Sequence, residues 1–315
     1  MGSKETIIMS CPSMERLARE TAGLFRHYTV PVKHSLINWG NFSDGFPDTR
    51  LDARAVRNSH IWFLADFSEP TEIFQQLAVI YALPRYRARS LKIFLPFYPT
   101  GTMERVDKEG AIATAMTLAR MLGAIPLAAD GPAKIFILDI HALPERFYFS
   151  DNVIPCLETA VPALTKSFSN WSVAFPDEGA WKRFGRTLAR FPQILCHKVR
   201  NGELRTVSIK EGEVDGKDIL IVDDLTRTGK TLLEAAAALK IAGAGKINLV
   251  VPHVPLEPAA IDGLIEAHDS GLINRLYTTD SCPSIASKLV KLNLDFIFVL
   301  SLAETLRKIM DEEEF

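Results

Sequence analysis

Two adjacent carboxylates, Asp223 and Asp224, close the apolar run Ile219-Leu220-Ile221-Val222 and lead straight into Leu225-Thr226-Arg227-Thr228-Gly229-Lys230-Thr231. The residues that follow, Leu232 to Leu239, are nearly all strong helix formers. A strand, a hydroxyl- and glycine-bearing turn and then a helix leave unpaired backbone N–H groups at the helix start, where an anion is attracted. Thr228 and Thr231 add hydroxyl donors, and Gly229 lets the backbone come close to an oxygen. Two carboxylates beside a phosphate cradle would repel the phosphate itself. They make sense as acceptors for neutral hydroxyls, as on a ribose ring. The stretch therefore reads as a site for a sugar phosphate, made by Asp223, Asp224, Thr226, Arg227, Thr228, Gly229, Lys230 and Thr231.

Two rival readings fall away. Gly229-Lys230-Thr231 imitates the end of a P-loop, but the first glycine of GxxxxGK[ST] would fall on Asp224. An ordinary strand-to-helix turn needs one Asp or Thr to cap the helix, not an acidic pair followed by this loop. Elsewhere, Lys198 and Arg200 alternate, so an extended backbone would point both side chains the same way. In isolation such a pair is two solvated surface cations. His141 follows an apolar run, at the carboxyl end of a strand where sites in α/β sheets gather. Asp177 follows Pro176 at another strand end, and its plain role is a helix N-cap. Asn41 to Phe46 is a turn signal.

Short apolar strands must position these groups. Ile61–Ala65, Leu91–Leu95 and Lys134–Asp139 alternate with helical stretches at Glu72–Tyr81 and Ala111–Leu122. The pattern restarts with strands at Trp171–Phe175, Gln193–His197, Asp218–Val222, Ile247–Val251, Arg275–Thr278 and Phe296–Leu300, and helices at Gly179–Phe191 and Leu232–Ala242. Continuous apolar strands suit a parallel sheet buried on both faces. The expected architecture is α/β, with two duplicated domains, 1–160 and 161–302. The boundary is placed between Phe149 and Ser169, where Pro155 and Pro162 punctuate the chain. A C-terminal helix over 303–315 is expected to pack back on the first domain, with Asp311-Glu312-Glu313-Glu314 as a solvated, frayed end.

Composition narrows the function. The 315 residues are 47% hydrophobic and 23% charged, the profile of a globular protein rather than a disordered or fibrous one. The formal net charge is -2, without the basic excess of a nucleic-acid binder. No apolar run approaches the roughly 18–20 residues of a membrane span, and the start does not lead into a secretory stretch. Cys11, Cys156, Cys196 and Cys282 are scattered, as reduced thiols in a cytosolic protein would be. The expected compartment is the cytoplasm, with an organellar form left open.

The stretch Val222 to Thr231 resembles the phosphoribosyl-pyrophosphate motif of the type I phosphoribosyltransferase fold. Four further segments resemble ribose-phosphate pyrophosphokinases, also called phosphoribosyl pyrophosphate synthetases. Phe94-Leu95-Pro96-Phe97-Tyr98-Pro99-Thr100-Gly101-Thr102-Met103-Glu104-Arg105 is similar to that family's ATP loop in its plant-type form. Asp139-Ile140-His141-Ala142 matches its DxHA stretch, Val173 to Phe184 the start of its second domain, and Cys196 to Arg200 its mobile catalytic loop. The resemblance runs from about Asn38 to Ala303. It implies two phosphoribosyltransferase-like domains, each a mainly parallel sheet flanked by helices, and transfer of the β,γ-diphosphate of ATP to the C1 hydroxyl of ribose 5-phosphate.

By the same resemblance, Lys198 and Arg200 are the catalytic pair, Phe42, Asp44, Arg105, Asp107 and His141 contact ATP, and His141 with Asp177 holds Mg²⁺. The segment Asn41 to Phe46 would complete the adenine pocket of an adjacent subunit, which requires a homo-oligomer. ATP and ribose 5-phosphate are the implied partners, with neither nucleic acid nor membrane. Some positions depart from the family pattern. Thr102 stands where bacterial and animal members carry arginine, and Phe46 where many carry an acid. Arg227 and Lys230 bring extra cations into the phosphate loop, and Lys230 would crowd it if its position demanded positive φ. Those departures leave a second reading, a catalytically silent relative that binds and regulates true synthetases.

Overall fold

The computed structural model describes residues 5–25, 32–104, 106, 108–201 and 204–314. The chain forms two compact units, one reaching Thr159 and rejoined by the chain from Ser301, the other covering Ala160–Leu300.

The first unit contains β1 (Thr6–Ser10), α1 (Glu15–Leu24), β2 (Val32–His34), α2 (Ala53–Val56), β3 (His60–Leu64), α3 (Pro70–Arg85), β4 (Ser90–Phe94), α4 (Thr114–Gly123), β5 (Ala133–Leu138) and β6 (Val153–Glu158). All pairings are parallel, in the order β2-β1-β3-β4-β5-β6, with Phe63 opposite Ile93 and Ile93 opposite Ile135. Ile61 and Phe63 enter a core with Leu77, Ile80 and Leu83 of α3 and Leu118 of α4. Their neighbours Trp62 and Leu64 are equally buried on the other face. That double burial explains why the strands read as unbroken apolar runs.

The second unit contains α5 (Val161–Thr165), β7 (Ser172–Phe175), α6 (Glu178–Phe184), β8 (Gln193–Asn201), β9 (Leu204–Glu211), β10 (Ile219–Val222), α7 (Lys230–Ile241), β11 (Ile247–Val250), α8 (Pro258–Asp269), β12 (Arg275–Thr279), α9 (Pro283–Leu292) and β13 (Ile297–Leu300). The order is β13-β12-β11-β10-β7-β8-β9, parallel except for the antiparallel pair β8–β9. On β10, Ile219 and Ile221 face Leu232, Ala235 and Leu239 of α7, whereas Leu220 and Val222 pack with Phe175, Phe184 and Leu188. The carboxyl ends of β7 and β10 therefore lie side by side.

Helix α10 (Ala303–Glu314) completes the first unit, where Leu302, Leu306, Ile309 and Met310 are buried. This corrects the reading of Asp311 to Glu314 as a frayed tail. Glu313 Oε2 lies 2.6 Å from Lys134 Nζ and 3.9 Å from Lys92 Nζ. Lys92 is almost fully buried on β4 and stacks over the Trp62 ring at 5.1 Å, so a counter-charge there stabilises a cation that water does not reach.

Other differences have simple causes. The helix expected over Gly179–Phe191 ends at Phe184, where the Gly185 carbonyl accepts from Gln193 Nε2 at 2.6 Å. The Pro155 region, expected as punctuation, is strand β6. Its place at the sheet edge tolerates a residue without an N–H. Among the described residues no helix is long and apolar enough to cross a membrane.

Candidate functional site

The acidic doublet begins where β10 stops. The Asp223 N–H donates to the Val250 carbonyl at 3.3 Å, the last ladder-like bond before the chain leaves the sheet. The Asp224 N–H turns back to donate to Asp223 Oδ1 at 3.0 Å. The turn is then fastened to the end of β11: His253 N–H donates to the Asp224 carbonyl (3.1 Å) and Thr226 N–H to the His253 carbonyl (3.0 Å). His253 is itself buried, with Nδ1 2.8 Å from Ser281 Oγ. Thr226 Oγ1 accepts from Gly229 N–H at 3.0 Å, and Thr228 Oγ1 accepts from Lys230 N–H at 3.4 Å.

Gly229 stands at φ 75°, ψ -16°, the residue immediately before α7. The positive φ that the loop requires thus falls on glycine. Lys230 is the first helical residue, exposed and 3.9 Å from Glu234, so it does not crowd the turn. Arg227 and Thr228 are exposed, Thr231 is half-buried, and the N-terminal N–H groups of a twelve-residue helix begin here.

The carboxylates are unequal. Asp224 is buried and lies 3.2 Å (Oδ2) from Arg183 Nη1 of α6. Asp223 keeps a partly accessible surface while sitting deep among protein atoms. Burial, then the charge of Asp224 and a hydrogen bond with it, then the charge of Asp177, push its carboxyl well above the usual range. Asp177 ends the β7 crossover and caps α6, with Oδ1 accepting from Ala180 N–H at 3.1 Å. The plain N-cap role is therefore present, and the same carboxylate is near enough to Asp223 to be felt electrostatically.

Lys198 and Arg200 lie on β8, opposite Val207 and Arg205 of β9. The segment similar to a mobile loop is thus paired strand as far as Asn201. On α6, Glu178 joins this hairpin through Lys210 Nζ at 2.7 Å.

In the first unit, His141 is exposed and follows β5 through Asp139, a non-glycine residue at φ 42°. A Cβ on Gly101 would come within 3.3 Å of His141 Cβ, so the loop after β4 lies against this turn. Tyr148 Oη donates to the Glu104 carbonyl at 2.9 Å and Tyr98 Oη to the Ala115 carbonyl at 2.7 Å, bracing the same loop. Arg105 and Asp107 lie outside the described residues. Phe42 is 56% exposed on a narrow hairpin closed by Phe42 N–H to the Phe46 carbonyl (2.8 Å). Asp44 Oδ1 accepts from Phe46 N–H at 3.1 Å, the turn chemistry that the sequence signals.

Sequence reasoning missed Arg183 and the left-handed Asp139. A strand-end Asp followed by a short cationic helix is the sole hint of the former; nothing local marks the latter. Burial pushes the Cys11 thiol up to about 12 and that of Cys196 up to about 11, so neither is a ready nucleophile. Among the described residues no three His, Cys, Asp or Glu side chains close into a metal-ready cluster.

A parallel sheet whose strand end carries an acidic doublet, a threonine turn and a glycine-started helix defines a phosphoribosyltransferase-type domain, and residues 153–275 match the model of the phosphoribosyl transferase domain. Ribose-phosphate pyrophosphokinase 3, mitochondrial, of Spinacia oleracea is 42% identical over 312 residues, covering 96% of this chain and 75% of that protein. Ribose-phosphate pyrophosphokinase 4 of Oryza sativa subsp. japonica is 42% identical over 290 residues, 89% of this chain and 88% of the relative. The chain belongs to the ribose-phosphate pyrophosphokinase family. The phosphoribosylpyrophosphate synthetase of Mycobacterium smegmatis, 23% identical, has the same fold, with a TM-score of 0.79 over 98% of both chains.

Proposed function

We propose that the chain transfers the β,γ-diphosphate of ATP to the C1 hydroxyl of ribose 5-phosphate, releasing AMP and supplying phosphoribosyl pyrophosphate for nucleotide synthesis. The observation that carries this reading is the acidic doublet at the end of β10, joined through a threonine turn to the N-terminus of α7. Asp223 and Asp224 accept from the ribose hydroxyls. The N–H groups and hydroxyls of Thr226 to Thr231, with Arg227 and Lys230, hold the 5-phosphate. Fixing the pentose this way presents its C1 oxygen in one place, which converts an encounter into an oriented reaction. Lys198 and Arg200 place positive charge on the phosphate oxygens as the diphosphate transfers.

The residues present fit Mg²⁺. Asp177 and its neighbours offer hard carboxylate oxygens, and the repulsion felt by Asp223 is what a divalent cation relieves. In the second unit Asp177 would hold it, and when bound it neutralises charge on the diphosphate oxygens. Phe42 and Asp44 serve the adenine ring, with Arg105 and Asp107 on the ATP side. The exposure of Phe42 suits a segment lent to the site of a second copy, hence a homo-oligomer.

The plant-type subclass is supported by the Thr100-Gly101-Thr102-Met103-Glu104-Arg105 loop. Identity points the same way, at 42% to a rice relative against 29% to one from Corynebacterium glutamicum. The cytoplasm is the proposed compartment; relatives named as mitochondrial and chloroplastic make organelle import the competing outcome. The test is direct. Purified protein with ATP, ribose 5-phosphate and Mg²⁺ should release AMP and phosphoribosyl pyrophosphate in equal amounts, assayed with and without inorganic phosphate and ADP. Sugar binding without AMP release would instead identify a silent, regulatory relative.

A further inference from the structure

The ion pairs around the candidate site are mostly superficial. In Lys182–Glu178, Lys210–Glu178 and Lys230–Glu234 at least one partner is largely in water. Arg183–Asp224 differs, with side-chain exposures of 10% and 8%. A buried ion pair seldom stabilises a fold more than an apolar pair of similar size, so its worth lies in the geometry that it imposes. Here the geometry is tight. Asp224 is held at its N–H by Asp223 Oδ1, at its carbonyl by His253 N–H, and at Oδ2 by Arg183 Nη1. The guanidinium lies over the Phe184 ring, Cζ 5.5 Å from its centre, which restrains the arginine in turn.

We propose that Arg183 is a positioning residue for the pentose: by gripping Asp224 Oδ2 at 3.2 Å from a buried seat on α6, it fixes the direction in which Asp224 meets a ribose hydroxyl, and so sets the preference for a sugar that carries both ring hydroxyls. The inference rests on the sugar-phosphate reading of the doublet given above. Arg183 need not touch substrate. A hydroxyl hydrogen bond is directional, and an acceptor free to swing loses both affinity and discrimination. Lysine would keep the charge but not the planar fork, so it restores the interaction only in part.

The test compares wild type, R183Q and R183K as full-length protein, titrated calorimetrically with ribose 5-phosphate and with 2-deoxyribose 5-phosphate in Mg²⁺, alongside KM for ATP. R183Q should bind ribose 5-phosphate about tenfold more weakly, the scale of one charge-assisted hydrogen bond, with a narrowed preference over the deoxy sugar and an unchanged KM for ATP. R183K should fall between. R183Q/D224N should bind no more weakly than D224N, because both changes remove the same contact. A folded R183Q with wild-type sugar affinity, or losses that add fully to those of D224N, would overturn the inference. Should R183Q fail to fold, R183K decides: wild-type affinity and sugar preference in that variant sink the proposal. A wild-type chain that binds no ribose 5-phosphate would refute the underlying sugar site instead.

Discussion

The two units solve one problem, the end of a parallel strand, in opposite ways. In the second unit β10 passes through Asp223–Gly229 and is at once in α7, and Asp224 is drawn inward, its carboxylate against Arg183 and its backbone carbonyl against the His253 N–H. In the first, β4 leaves into Leu95–Ala113 before α4 starts, and β5 ends on a turn that carries His141 outward to solvent. Each turn contains a left-handed residue, Gly229 just before α7 in the second unit and Asp139 directly after β5 in the first. A short turn closed by glycine keeps Asp224, Thr226 and Gly229 buried while Arg227, Thr228 and Lys230 face solvent. The longer loop after β4 runs beside the turn in which Asp139 stands at positive φ and His141 faces solvent. Duplicated architecture therefore does not mean duplicated sites.

Substitutions can break or sharpen that contrast. The largest effect belongs to the transfer step: Lys198→Ala should lower kcat about 10²–10³-fold while ribose 5-phosphate still binds, measured by AMP release and calorimetry. If catalysis survives, the hairpin is not part of the chemistry. Next, Asp223→Ala with Asp224→Ala should weaken ribose 5-phosphate binding on the order of a hundredfold, since hydrogen bonds to charged acceptors are lost. ATP affinity should hold steady, which separates the two strand ends functionally.

In the first unit, Glu313→Ala should lower thermal stability by about 1–3 kcal/mol, because it strips the nearly buried Lys92 of a counter-charge, and kinetic constants should not change. In Gly229→Ala the added methyl meets Leu264 and Leu233 at ordinary contact distances of 3.8 and 3.9 Å but stands at a φ of +75°, so its cost of about 1–2 kcal/mol is backbone strain, read as a lower melting temperature and weaker sugar binding. The smallest effect is a difference: Asp139→Gly should be more stable than Asp139→Ala by about 1 kcal/mol in denaturant unfolding, since φ there is 42°. Equal stabilities would mean that the two left-handed turns are not comparable.

The contiguous part of the site was legible in the sequence. Asp223 to Thr231 is one strand end, one turn and one helix start in a single unbroken stretch, so its residue types could be read together. Arg183 was not, because its meaning comes from Asp224, which only the adjacency of β7 and β10 brings near. Strand β2 has only three residues and does not announce itself, β1 offers just Ile7, Ile8 and Met9 between polar ends, and β9 is recognisable only as the partner of β8. Glu313 misled through its company: four consecutive acids read as solvated, whereas Leu306, Ile309 and Met310 form the buried stripe that folds them into a helix.

Because α10 closes the first unit after the chain has built the whole of the second, that first unit is assembled from segments that the second unit separates in the order of synthesis. A ribosome that has released residues up to Leu300 has produced a sheet in which Lys134 has not yet met Glu313. Full stability of the first unit is thus deferred until α10 arrives, and a chain cut short near Ser301 would be weakest in the unit it had begun first.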